Sequence, residues 1–469
     1  MTKFTSDVVI GLEIHIELNT NTKLFCACAT KGSEEPNTRV CPICLGHPGS
    51  KPVLNKKVVE YAIKLGLALN CEINKELIFS RKSYFYPDLA KNYQITQYEK
   101  PLCKNGEVKL KNNKKIGITR IHIEEDPAAL VHPNSIHGSN YVLIDYNRSG
   151  NPLCEIVTEP DMTSAEEARE FMNKLITILE YLEIFDINAI IKADANVSIK
   201  DSGYIRSEIK NITGFKEIER ALNYEIQRQK NVVLNGEKLI QDTRSWDADK
   251  GISTRLRTKE TEDDYGYIID PDLVITDITE NMINDIKNNM PELADEKLEK
   301  FKEHGIADDN AEIISKNKDL AKIYEIIVKE VDATKVSKWA RRDLMKAVNY
   351  HKKDISSLNV DKIAPKFIKV LKSELSQEIT PKISFLLTSN IVENEDFDIE
   401  NEINKNKSIG DDNQIETFVK EVISEQSDNV EKYKSGEDKI INFLVGQVMR
   451  KSNGKANPGK IKEIFMKLI

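Results

Sequence analysis

At Met290-Pro291 the hydrophobic period of the chain changes, and that change limits the folds open to it. Before it, short segments alternate apolar and polar residues: VVIGLEIHIEL, ELIFSRKSYFYP, GITRIHIEED, YVLIDYN, DANVSIK and SEIKNI, bounded by Gly, Pro, Asn or Asp. Successive side chains of a strand point to opposite faces, so this is the period of sheet. After it, Lys- and Glu-rich segments with the 3.6-residue period of helices run to the end.

Three helices interrupt the strand-like part. Asn55 caps a run with Val58, Ala62, Leu65 and Leu69 on one face, and Ser164 with Glu167 forms a capping box ahead of Ala168, Phe171, Leu175, Leu179 and Leu182. A third helix spans about Phe215 to Asn231, and Asn235-Gly236 marks a tight turn. Strands and helices mix without regular βαβ alternation, so an α+β domain with a largely antiparallel sheet is expected over 1–290. An all-α domain over 291–410 should follow. The polar stretch ENEDFDIENEINKNKSIGDDN separates it from a small helical tail domain, 411–469. There is no internal repeat.

A formal charge of -8, with 31% charged residues, excludes a global electrostatic grip on nucleic acid, so such a partner needs a local basic patch. No apolar run reaches the roughly 20 residues that cross a bilayer, and the first residues lack the pattern of a signal peptide. A cytoplasmic protein with no membrane partner is expected. Of seven cysteines, Cys71, Cys103 and Cys154 are scattered singly, unlike a secreted disulfide framework.

The other four are paired. Cys26-x-Cys28 and Cys41-Pro-Ile-Cys44, twelve residues apart, suit two knuckles that present four thiolates tetrahedrally to structural zinc. Such a site is closed to water. Free thiols or a redox pair are the alternatives, and His47, three residues beyond Cys44, is a substitute ligand.

The first strand places Glu13, His15 and Glu17 on one face and Ile10, Leu12, Ile14 and Ile16 on the other. Alone, this reads as a half-buried strand with a solvated face. However, RIHIEED adds three acidic groups and CEIVTEPD adds Glu155 and Glu159. Carboxylates with one imidazole suit magnesium or manganese, and their convergence on a sheet face offers a platform for metal-assisted phosphoryl transfer. No Walker-type, kinase or dinucleotide-binding glycine motif is present.

Several runs together resemble one family. VIGLEIHIEL, RKSYFYPDLAKNYQITQ, GITRIHIEEDPA, DYNRSGNPLCEIVTEPD, DANVSI, EIKNITGF, QDTRSWD and FLVGQVMRKSNGKANP occur in order across nearly the whole chain. They are similar to the GatB family, the GatB subunits of aspartyl/glutamyl-tRNA amidotransferases. The resemblance implies a cradle domain similar to glutamine synthetase and guanidino kinases. It implies a ligase that uses ATP to phosphorylate the side-chain carboxylate of glutamate or aspartate misacylated on a glutamine or asparagine tRNA. Ammonia from a separate amidase subunit, delivered by a channel, then displaces phosphate, and a small third subunit helps hold the complex.

Carried over by motif, Glu13, His15, Glu125 and Glu155 would surround magnesium, with Glu124 as the fallback for Glu125 because alternation puts Glu124 on the face of His122. Lys82, Tyr84, Tyr86, Arg120 and Arg148 would contact phosphate and the aminoacyl end. Helical region and tail would contact the tRNA body. From Asp438 onward seven cations, Arg450, Lys451 and Lys455 among them, face two carboxylates, which gives the tail the patch that phosphate contacts need.

Two departures stand out. Gly266 in DDYGYIIDPDL occupies the place of the arginine in the family's tyrosine-arginine-tyrosine run, and the four cysteines are missing from some relatives, so zinc is not required for the chemistry. The related GatE proteins, of the two-subunit glutamyl-tRNA amidotransferase, carry a large insertion for which Pro271 to Pro291 leaves no room. A zinc-containing tRNA-binding scaffold without catalysis is the alternative of another class. It would not need Glu13, His15, Glu125 and Glu155 around one point.

Overall fold

The computed structural model describes residues 4–133, 140–186, 191–258, 265–409 and 412–469. They form two compact units that meet at Leu293/Ala294. The first is α+β, built on one nine-stranded sheet, and the second is helical.

The spatial order of strands is Ile252–Thr258, Asp242–Asp247, Ser207–Thr213, Lys192–Ile199, Val8–Glu17, Pro152–Thr158, Lys115–Glu125, Cys103–Lys109 and Glu72–Ile73. Neighbours are antiparallel except Ser207–Thr213 and Asp242–Asp247. The helix Phe215–Leu234 lies between those two in sequence, the long crossover a parallel pair requires.

The first strand lies at the centre, and Ile10, Leu12, Ile14 and Ile16 are at most 1% exposed. They share a core with three helices, Lys56–Ala68, Ala165–Leu182 and Phe215–Leu234. Each such side chain contributes about 1.5–3 kcal/mol through burial, which fixes the sheet's register, because a slip by one residue would invert both faces. The opposite face of this strand carries Glu13, His15 and Glu17.

Local signals act as expected at the helix starts. The Asn55 side chain accepts from the Lys57 N–H at 2.9 Å, and that of Ser164 from the Glu167 N–H at 3.2 Å. Glu167 turns back to the N–H of Thr163 rather than to that of Ser164. Asn235-Gly236 closes the third helix, with Gly236 at φ +76° and its N–H on the Val233 carbonyl, rather than linking two strands. The stretch ELIFSRKSYFYP divides into Glu76–Leu77 and Ser80–Ser83, because Phe79 turns into the core against the Phe25 ring.

Ser80–Ser83 pairs with Tyr93–Thr96 and Gly266–Ile269 in a small sheet. Arg81 braces it, 2.8 Å from Asp270 and 3.0 Å from Asp272.

In the second unit one core involves residues 301–403 and another residues 415–465. The polar stretch expected to separate them contains a helix, Ile399–Lys405, capped by Asp398 and packed through Ile399 and Ile403 into the first of these cores. Two apolar residues four apart outweigh its polar composition. No helix among the described residues is long and apolar enough to cross a membrane.

Candidate active face and metal centres

Strand register assembles the polar face. Glu155 stands opposite His15 on one side and opposite His122 on the other, and Glu124 lies two residues beyond His122. His15 Nε2 is 3.6 Å from both Glu124 Oε1 and Glu155 Oε2. His122 Nε2 is 3.2 Å from Glu155 Oε2 and 3.7 Å from Glu124 Oε2. The Thr96 hydroxyl donates to Glu124 from the small sheet.

One ligand atom each from His15, Glu124 and Glu155 lie within 4.8 Å of one another. An imidazole and two carboxylates, open to solvent on the His15 side, are a donor set that suits a hard divalent cation.

The electrostatics follow from this crowding. Burial pulls the His15 pKa down, but the hydrogen bond and charge of Glu155, then Glu124 and Asp194, lift it to about 9. His122 rises to about 9 for the same reason, against burial, through the charge of Glu155 and hydrogen bonds to Glu124 and Glu155. Burial acts to raise Glu155, yet His122 and His15 hold it well below the usual carboxylate range. Two imidazoles therefore balance two carboxylates, and a divalent cation at this point would displace protons from His15.

The structure brings His15 and Glu155 of the expected ligands together with Glu124, the fallback for Glu125. Along Lys115–Glu125, alternation sends Glu124 to the His122 face and Glu125 away from it, where it pairs with Lys91 and accepts from the Ile95 N–H at 2.9 Å. Asp126 takes a third direction, 3.3 Å from Arg148, and burial lifts its pKa to about 7 against the charges of Arg148 and Lys192. Glu13 shares the face of His15 but not its cluster. It stands opposite Asp194 and accepts from Asn196 at 2.9 Å. Glu17 accepts from Asn151 at 2.7 Å.

Lys82 lies 4.6 Å from the Tyr265 ring centroid and 6.0 Å from that of Tyr84. Tyr84 is half-buried; burial first, then the charges of Asp88 and Glu124, raise its pKa. Tyr86 is 52% exposed. Arg120 shares the polar face two residues before His122 and opposite Val157. Arg148 instead braces a turn, donating to the carbonyls of Pro127 and Ala128 at 2.9 and 2.8 Å. Gly266 is exposed beside Ser83, between Tyr265 and Tyr267, which meet Lys82 and Tyr98 respectively.

Sequence reasoning left out His122 as a member of the site, although the alternation in RIHIEED carries its signal. It also left out Lys91 and Lys23, whose partners come from distant segments.

The four cysteines converge. Their sulfurs lie within 4.8 Å of one another, and those of Cys41 and Cys44 are 3.9 Å apart. A zinc–sulfur bond of about 2.3 Å gives a tetrahedral edge of about 3.8 Å, so the set fits zinc. The hydrogen bond with Cys26 holds the Cys44 thiol down to about 5, and Cys26 is raised in return. His47 is exposed and outside the cluster.

In the tail, Lys451 is held by Glu421 and Glu425 at 2.7 and 2.6 Å, and Lys455 donates to the Lys405 carbonyl at 2.8 Å. These contacts neutralise part of the positive excess, whereas Arg450 is exposed.

Residues 8–284 match the GatB/GatE catalytic domain, and residues 322–469 match the GatB domain. Relatives extend the match over the full length. The GatB subunit of the aspartyl/glutamyl-tRNA(Asn/Gln) amidotransferase from Thermodesulfovibrio yellowstonii is 42% identical over 99% of both chains. Its namesakes from Thermoanaerobacter pseudethanolicus and Caldicellulosiruptor bescii are 42% and 43% identical over 98% of both chains. The sheet unit is thus a catalytic domain of the GatB/GatE class. With its second domain included, the chain belongs to the GatB family.

Proposed function

We propose that this chain is the transamidating subunit of a tRNA amidotransferase, converting Glu-tRNA(Gln), Asp-tRNA(Asn) or both to the amides with ATP and ammonia. The observation that carries the reading is the convergence of His15, Glu124 and Glu155, from three strands, on one solvent-facing point. A noncatalytic scaffold has no use for such crowding of charge. An open antiparallel sheet with a metal-binding face is also what kinship with glutamine synthetase and guanidino kinases would require.

A carboxylate is a poor electrophile. Transfer of the γ-phosphoryl of ATP to a side-chain oxygen gives an acyl phosphate and ADP. Ammonia then adds to the acyl carbon, the carbon–oxygen bond to phosphate breaks, and nitrogen loses a proton to leave the amide. Magnesium, when bound, offsets charge on the transferring phosphoryl. His15, Glu124 and Glu155 would hold it, with Glu13 beside them on the face, and His122 keeps Glu155 and Glu124 turned toward it. Lys82 and Arg120 would meet phosphate, and Tyr84 and Tyr86 the aminoacyl end.

Cys26, Cys28, Cys41 and Cys44 would hold structural zinc. A separate amidase subunit and a small third one complete the assembly. The cytoplasm is the compartment, the helical region and tail meet the tRNA body, and Arg450 makes phosphate contacts while Lys451 and Lys455 contribute less. The test is reconstitution with the amidase and the small partner, ATP and each misacylated tRNA, scoring amide. The expected result is ATP-dependent amide formation lost in Glu124→Gln; amide formation unaffected by that substitution contradicts the reading.

A further inference from the structure

Lys23 is 0% exposed, and among the described residues no carboxylate forms an ion pair with it. Its Nζ has three donor hydrogens, and the described residues offer it one acceptor, the Tyr146 carbonyl at 3.2 Å. A buried ammonium left this way costs several kcal/mol of desolvation unless another charge answers it. Its backbone and stem run along the cysteine knuckles. Its N–H donates to the Cys28 carbonyl, and a Cβ on Gly150 would lie 3.6 Å from Lys23 Cδ and 3.7 Å from Cys44 Cβ, so both side chains line the same glycine.

The loop that Lys23 touches is stitched to the cysteine knuckles. Ser149 donates to the Cys44 carbonyl at 3.3 Å, the Arg39 N–H to Asn147 Oδ1 at 2.7 Å, and the Leu24 N–H to the Gly150 carbonyl at 2.9 Å. The same loop holds the edge of the active face. Gly150 and Asn151 exchange backbone hydrogen bonds with Asp126, directly after Glu124 and Glu125, and Arg148 holds the carbonyls of Pro127 and Ala128.

We propose that Lys23 is the charge partner of the four-cysteine centre and ties its metal occupancy to the order of residues 144–151, which brace the carboxylate edge of the active face. A divalent zinc with four thiolates is a dianion, and a buried ammonium beside it offsets half of that charge. Lys23 is a positioning residue: its part in amidation runs through the loop. The inference rests on the zinc reading above.

The test uses the full chain as wild type, Lys23→Met and Lys23→Arg. Zinc content is measured first, by elemental analysis. Zinc release to a chromogenic chelator and hydrogen exchange over residues 144–151 are then followed. Wild type should hold zinc, Lys23→Met should release it about tenfold faster with faster exchange in 144–151, and Lys23→Arg should restore much of both. Zinc-stripped wild type should show the same loop exchange as Lys23→Met. Zinc held by wild type and released by Lys23→Met at the wild-type rate overturns the inference while sparing the zinc reading. A chain without zinc sinks both. Should Lys23→Met fail to fold, stripping the wild type still decides: unchanged exchange in 144–151 overturns the link.

Discussion

The first unit contains two clusters of metal-ligand groups built in opposite ways. The cysteine cluster is drawn from nineteen consecutive positions, Cys26 to Cys44, and is made of one soft donor type. The histidine-carboxylate cluster takes one residue from each of three strands, with more than a hundred residues between His15 and Glu124, and mixes imidazole with oxygen. A local cluster with four equal ligands closes around its ion and can only hold structure. A cluster assembled by sheet register leaves one side open, and only an open site can meet a substrate.

That contrast is most easily broken at the open site. Glu124→Gln or Glu155→Gln should lower ATP-dependent amidation in the reconstituted complex by more than about a hundredfold, beyond the usual cost of an outer-shell change, and leave zinc content and the amidase reaction intact. Glu125→Gln should cost far less than Glu124→Gln in the same assay. Equal losses would return Glu125 to the metal site.

At the closed site, Cys44→Ser should act through stability. Loss of about 3 kcal/mol would lower the melting temperature by roughly 6–12 °C, with amidation falling only as far as the fold does. An amidation defect at full thermal stability and with unchanged hydrogen exchange over residues 144–151 would make the cysteine cluster catalytic and erase the distinction.

Two smaller effects sharpen it. Arg450→Ala should raise KM for tRNA a few-fold and reduce its salt dependence without changing kcat. In magnesium-free buffer, the stability advantage of wild type over His122→Asn should depend on pH. The folded pKa of His122, about 9, exceeds the ordinary histidine value of 6.5. The protonated form therefore favours the fold, so the advantage is complete below about pH 6.5 and fades as pH rises through 9. Thermal melts of both proteins from pH 6 to 9.5 measure it.

The same contrast decides what could be read from the amino acids. Cysteine spacing carries its own geometry, so a four-thiolate centre was legible, as were the faces of Val8–Glu17 and the capped helices. Pairing partners are another matter. Alternation in RIHIEED put Glu124 with His122, whereas kinship pointed to Glu125, and only the pairing of three strands places His15, Glu155 and Glu124 together. Lys23 was invisible for the same reason, and Arg148, expected at the phosphate or aminoacyl end, gave no sign of its two carbonyl partners. A buried ammonium without a carboxylate, or an arginine spent on two carbonyls, is defined by neighbours that only the folded chain brings close.

The most direct test of the central claim, that the open site is made by His15, Glu124 and Glu155, is a manganese titration of the full chain followed by electron paramagnetic resonance. Wild type and Glu125→Gln should each bind about one manganese ion at this face, and Glu124→Gln and Glu155→Gln should lose it. Undiminished manganese binding in Glu124→Gln, with loss in Glu125→Gln, would contradict the account.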